Sequence, residues 1–284
     1  MKLDITSEKF LQNQCIELFK AMGYEYISRE DALKMRGNDT NNIILRDILQ
    51  PQLNALNSFE VRGVKQKFSP ANIQKAINEI EPTHQIAQNG GLLGVNQNLS
   101  DKFTLGSSFE ESINGMKKSF SLRYIDFENI ENNVFSISEE FEVKRRSNDK
   151  DKAHRRADIV LFVNGIPLVV IELKKSSRDY ELGIKQLEMY QSDSEIPRLF
   201  ATAQLCIAGS YDAKYGTIKT PQQFYSLWRE EDSQILQKLK SLIPHRIPTK
   251  LDETLMALCD KQRLLRLIKY YILFDKGIKK ICRY

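Results

Sequence analysis

Two apolar runs, 157–163 (ADIVLFV) and 166–173 (IPLVVIEL), flank an Asn164-Gly165 pair. Both are rich in Val and Ile and short enough for strands. Asn-Gly between two such runs is the strongest short-range signal of a β-hairpin. A hairpin this apolar belongs inside a sheet, yet it holds Asp158 and Glu172, with Lys174 just beyond. Ionised carboxylates are costly to bury without compensation. Two of them about 4 Å apart repel by roughly 4 kcal/mol at an effective dielectric near 20. A divalent cation such as Mg2+, which takes hard oxygen ligands, is the natural compensation.

Strand geometry constrains this idea. Side chains alternate along a strand, so a shared cation needs Asp158 and Glu172 on one face. A strict two-residue turn pairs Val163 with Ile166, sets Asp158 across from Ile171 and turns Glu172 away. A three-residue loop over 163–165, with Gly165 as a left-handed bulge, pairs Phe162 with Ile166. Asp158 then lies across from Val170, diagonal to Glu172 on the same face. The bulged hairpin is the expectation; a two-residue turn fits a shared cation only if a bulge elsewhere compensates. Lys174 projects to the side of Glu172, where an ammonium can orient or help deprotonate a water, or offset charge on a phosphate. An Asp followed by Glu-x-Lys, so placed, suits phosphodiester cleavage. The bland alternative is a surface hairpin with a Glu172–Lys174 salt bridge, because Glu-x-Lys alone carries little information.

RRADIVLFVNGIPLVVIELK at 155–174 resembles the PD-(D/E)xK nuclease motif, with Ala157 where Pro is usual. That Pro supplies no chemical group. IDFENIENNVFSISEEFEV at 125–143, QLEMY at 186–190 and YGTIKTPQQFYSLWRE at 215–230 follow the same pattern in order. From the first helix to about residue 284 the chain resembles the N-terminal nuclease region of the R subunit (HsdR) of type I restriction enzymes. The resemblance implies an α/β, restriction-endonuclease-like fold: a central mixed sheet flanked by helices, with a helical C-terminal extension. It implies Asp158 and Glu172 as metal ligands, the Leu173 carbonyl as a further ligand and Lys174 as the catalytic lysine. It also brings Glu8 of the first helix near the metal, and makes Gln186 and Tyr190 a QxxxY motif facing DNA. On the residues alone, Glu8 is equally a first-turn glutamate favoured by the helix dipole, and Gln186 and Tyr190 a half-buried helix face. The implied activity is Mg2+-dependent cleavage of double-stranded DNA, with Mn2+ able to substitute, in an antiviral restriction system. The intact enzyme would add ATP-driven translocation and methyltransferase and specificity subunits.

No GxxxxGK[ST] phosphate loop occurs among the 284 residues. The expectation is a fragment: an endonuclease domain over 1–232 and a helical linker over 233–284 leading to a motor that this chain lacks. The rivals are a non-catalytic DNA-binding or assembly module of the same fold, and a stand-alone repair or RNA nuclease. Four scattered cysteines without a CxxC pair, no signal peptide and no membrane-length apolar run point to a cytoplasmic chain. Net charge is only +5, but residues 144–156 hold seven basic and two acidic side chains. Lys144, Arg145, Arg155 and Arg156 are candidate phosphate contacts; the alternative is a solvated charged loop, to which His154 belongs.

Periodicity and caps predict helices from Thr6 or Ser7 to Met22 and over 42–56, 70–80, 180–191, 231–243 and 252–275. The 180–191 helix would be capped from within 176–179. Strands are expected over 119–125, 133–143 and 203–208, with 28–40 and most of 82–118, including the lone His84, in loops.

Overall fold

The computed structural model describes residues 7–82, 86, 90–146, 153–175 and 180–282. Helix α1 (Glu8–Ala21), strand β1 (Glu25–Ile27) and helices α2 (Arg29–Lys34) and α3 (Arg46–Leu56) come first. A hairpin of β2 (Phe59–Val61) and β3 (Val64–Gln66) leads to α4 (Pro70–Ile80) and α5 (Gly91–Leu105). A second hairpin, β4 (Ser107–Ile113) and β5 (Met116–Leu122), precedes β6 (Phe135–Lys144), β7 (His154–Val163) and β8 (Ile166–Leu173). Then come α6 (Glu181–Tyr190), α7 (Pro197–Thr202), β9 (Leu205–Gly209), β10 (Ala213–Gly216) and β11 (Ser226–Leu227). Helices α8 (Ser233–Leu242), α9 (Lys250–Cys259) and α10 (Lys261–Arg266) follow, then a π-helical turn (Leu267–Tyr271) and the hairpin β12 (Ile272–Asp275), β13 (Ile278–Ile281).

Seven strands form the central sheet in the order β1-β6-β7-β8-β9-β10-β11. β1 pairs with β6, and β8 with β9, in parallel; the other neighbours are antiparallel. All of β8 and β9 is buried, as continuous apolar runs covered on both faces should be. The chain is thus an α/β, restriction-endonuclease-like domain with C-terminal helices.

The turn differs from expectation. Val163 pairs with Ile166, so the loop has two residues. Asn164 (φ +53) and Gly165 (φ +80) are both left-handed, the signature of a type I′ turn. Asn164 is fully buried and satisfied: Oδ1 accepts from the Val134 N–H at 2.8 Å, and Nδ2 donates to Tyr124 O at 2.9 Å. The compensating bulge lies instead in β8. Phe162 pairs with Pro167 but Leu161 with Val169, leaving Leu168 as the extra residue. Pro167 is the reason: it has no N–H to give the ladder, and proline inside a sheet belongs at a bulge. Beyond Ile159–Ile171, this register sets Asp158 directly across from Glu172.

Other stretches also depart from the reading. Residues 91–105, expected as loop, form α5. Its buried face alternates Leu92, Leu99 and Phe103 with Asn96 and Ser100, so polar residues hide the helical period. Asn96 Nδ2 earns its burial by donating to the carbonyls of Phe200, Ala201 and Ala203. Residues 107–122 form the β4–β5 hairpin, and 29–34, also expected as loop, form α2, capped by Ser28. The helix expected over 252–275 breaks at Asp260, whose side chain caps α10. After Tyr271 another left-handed pair, Lys276-Gly277, turns the β12–β13 hairpin. Phe224 is exposed, whereas Tyr225 is buried. His84, residues 147–152 and the 176–179 cap lie outside the described residues; α1 is capped by Ser7. Among the described residues no helix is long and apolar enough to cross a membrane.

Candidate active site

β7 and β8 bring Asp158 and Glu172 face to face, and the chain leaves the sheet at Lys174. Asp158 is held from two directions. Its Oδ2 accepts a hydrogen bond from the Leu173 N–H at 2.6 Å, and Gln12 Nε2 of α1 donates to its main-chain oxygen at 2.7 Å. Glu172 is fully buried. Lys174 Nζ donates to Glu172 Oε1 at 3.1 Å and to Leu173 O at 2.8 Å. The Lys174 N–H donates to Gly209 O at 2.8 Å, tying this exit to β9.

One fully buried and one half-buried carboxylate against one ammonium leave the electrostatics unbalanced. Burial pushes the Asp158 carboxyl up to about 6 against the pull of the Leu173 N–H and Lys174. Burial, and then the Asp158 charge, push Glu172 well above the usual range. Among the described residues Glu172 Oε2 meets no hydrogen-bond donor, and an unsatisfied buried carboxylate oxygen is expensive. A hard divalent cation fits this donor set of two carboxylates and the Leu173 carbonyl. Among the described residues no three Asp, Glu, His or Cys side chains converge closely enough to hold a metal as they stand.

The two carboxylates and Lys174 open onto a cavity of about 650 Å³ that is also lined by Glu8, Glu140, His154, Arg155, Arg156, Leu182, Gln186 and Tyr190. Ser7 caps α1 by accepting from the Phe10 N–H at 3.1 Å, which places Glu8 in the first turn at the cavity edge. α6 closes the opposite wall. Gly183 permits the approach: a Cβ there would lie 3.2 Å from Ala208 Cβ and 3.4 Å from Glu172 O. One turn apart on this helix, Gln186 Nε2 donates to Tyr190 Oη at 2.6 Å, and Tyr190 Oη donates to Arg156 O at 3.1 Å.

The four basic candidates separate. Arg156 is exposed at the cavity and pairs with Glu140. Arg155 also lines it, but its Nε is held by Glu195 at 2.7 Å. Arg145 Nη2 meets the same carboxylate at 2.6 Å, so these two form a structural clamp. Lys144 is exposed at the end of β6 and does not itself line the cavity. The sequence reading missed Gln12, Glu140 and Glu195. Gln12 had a signal, lying one helical turn beyond Glu8; Glu195 had none, being fifty residues from Arg145.

The mixed seven-stranded sheet flanked by helices is of the restriction-endonuclease-like fold class. The family described as the Type I restriction enzyme R protein N terminus matches residues 5–224. The chain belongs to that family. It is 28% identical over 287 residues to the type I restriction enzyme HindI endonuclease subunit of Haemophilus influenzae, covering 98% of this chain and 25% of that one. It is 27% identical over 305 residues to the putative type I restriction enzyme MjaIXP endonuclease subunit of Methanocaldococcus jannaschii, covering 98% and 26%. The chain therefore spans about a quarter of the length of these relatives.

Proposed function

We propose that this chain is the nuclease portion of a type I restriction enzyme R subunit and that it hydrolyses phosphodiesters of double-stranded DNA with Mg2+, for which Mn2+ can substitute. The observation that carries this reading is the meeting of Asp158, Glu172 and Lys174 in one cavity, with a buried carboxylate oxygen that has no donor among the described residues. Asp158, Glu172 and the Leu173 carbonyl would hold the cation, with Glu8 at its margin. When bound, the ion supplies charge that neutralises the carboxylates and polarises the phosphate.

The chain's own groups do the rest. The Leu173 N–H and Gln12 fix Asp158 in advance, which reduces what must be ordered during reaction. Lys174 Nζ already contacts oxygens on Glu172 and Leu173. It is the group placed to orient the attacking water and to offset charge growing on the phosphate. The water oxygen bonds to phosphorus and gives up a proton to solvent as the bond to the leaving sugar oxygen breaks, and that oxygen takes up a proton from solvent in exchange. Arg156, Gln186 and Tyr190 line the approach, where they suit phosphate or base-edge contacts.

In the whole subunit, cutting would be coupled to ATP-driven translocation in the cytoplasm, with methyltransferase and specificity subunits, and residues 233–284 would lead towards the motor. The site is tested by calorimetric titration of Mg2+ or Mn2+ into wild type and Asp158→Ala, with a short duplex present. Binding that disappears in the variant supports the assignment; equal binding in both overturns it.

A further inference from the structure

Across β6 and β7, Glu139 pairs with Ile159 and Phe141 with Ala157, so the register brackets Glu140 and Asp158, although the ladder is interrupted between these two residues themselves. Asp158 stands opposite Glu172. Directly opposed residues of antiparallel strands share a face. Three carboxylates from neighbouring positions on β6, β7 and β8 thus line one cavity, although like charges brought together across strands destabilise a sheet. Glu172 is fully buried and its Oε2 has no donor among the described residues; Asp158 and Glu140 line the same cavity.

The backbone at Glu140 is also unusual. Its φ is +49 within a strand, a region that L side chains seldom occupy. Strain of this kind persists where the surroundings impose it, often at functional sites. The Glu140 carboxylate contacts Arg156 Nη1 at 3.2 Å. Arg156 is exposed and Glu140 half-buried, and pairs so open to solvent contribute little to stability. Such an ion pair is a poor reason to keep a strained acid beside another acid.

We propose that Glu140 is a further carboxylate of the divalent-cation site, alongside Asp158 and Glu172, and that it exchanges Arg156 for the cation when DNA is engaged. Arg156 is thereby released towards a phosphate. The inference rests on the nuclease reading above, and its test separates the two. Mn2+ is titrated into wild type, Asp158→Ala, Glu140→Gln and Glu140→Gly with a short duplex present, followed by calorimetry and by the electron paramagnetic resonance of the bound ion. Melting temperatures are taken without metal. Glu140→Gln should bind Mn2+ about tenfold more weakly, with an altered spectrum, while Asp158→Ala loses binding. Glu140→Gly should melt no lower than wild type, because glycine tolerates the positive φ, yet show the same weakened binding. Wild-type Mn2+ affinity in Glu140→Gln, with binding lost in Asp158→Ala, overturns the role of Glu140 and leaves the site standing. Equal binding in all four, or none in wild type, overturns the site and this inference with it.

Discussion

Asp158 Oδ2 accepts from the main-chain N–H of Leu173 at 2.6 Å, and the carbonyl of that same residue accepts from Lys174 Nζ at 2.8 Å. One residue's backbone therefore fixes Asp158 on one side and Lys174 on the other, and the side chain between them in sequence space is that of Glu172. Leu173 is itself registered against Gly209 in β9. The sheet, rather than a loop, sets the geometry of all three groups.

Lys174 is the buried positive charge beside Glu172. Lys174→Met leaves two carboxylates facing each other without it. Breaking a buried pair from one side costs about 3 kcal/mol or more, so the variant should melt well below wild type in the absence of metal. Mn2+ should raise the variant's melting temperature more than the wild type's, because ion binding to the folded state then removes a larger repulsion. Thermal melts with and without Mn2+ check this; an equal Mn2+ effect in both would contradict it.

Gly165→Ala tests the turn. The φ there is +80, and a Cβ would lie 2.5 Å from Leu45 O, the neighbour to which the chain is already tied by the Leu45 N–H donating to Gly165 O at 2.9 Å. Backbone strain and the clash together should cost at least about 2 kcal/mol, read from urea unfolding. A neutral effect would contradict the tight seating of the turn against α3.

Glu195 gives a pH prediction. Burial raises its carboxyl, but hydrogen bonds from Arg155 and Arg145 outweigh this and hold it below its ordinary value of 4.5. A depressed folded-state value means that the clamp's stabilisation is complete above about pH 4.5 and is lost as the pH falls through the lower, folded-state value. Glu195→Gln should therefore cost about 2 kcal/mol at pH 7, and the difference from wild type should shrink steadily in acid below pH 4.5. A difference independent of pH would refute the clamp.

The hairpin could be read because its signals are local: an Asn-Gly pair, two apolar runs, and charges where apolar residues should be. Its register was readable only in part. Pro167 marked the bulge, but Gly165 offered a competing place for it, and the choice depended on how Asn164 is received by Val134 and Tyr124, thirty and forty residues away. The same limit hid α5, whose Asn96 and Ser100 face the core because distant carbonyls and Gln204 satisfy them. It also hid Lys279, which is buried with its Nζ donating to Asn96 Oδ1 and Gln204 Oε1, each at 2.7 Å. A lysine in a terminal segment reads as solvated unless its partners are known. Glu140 was illegible for a related reason: its meaning lies in the neighbouring strands, and their register is not written in its own.

The most direct measurement is cleavage of circular DNA by the assembled enzyme carrying Glu172→Ala in this chain, followed together with ATP consumption. The account predicts that cutting falls by about 1,000-fold or more while ATP-driven translocation continues at the wild-type rate. Cutting that survives the substitution would contradict the assigned site.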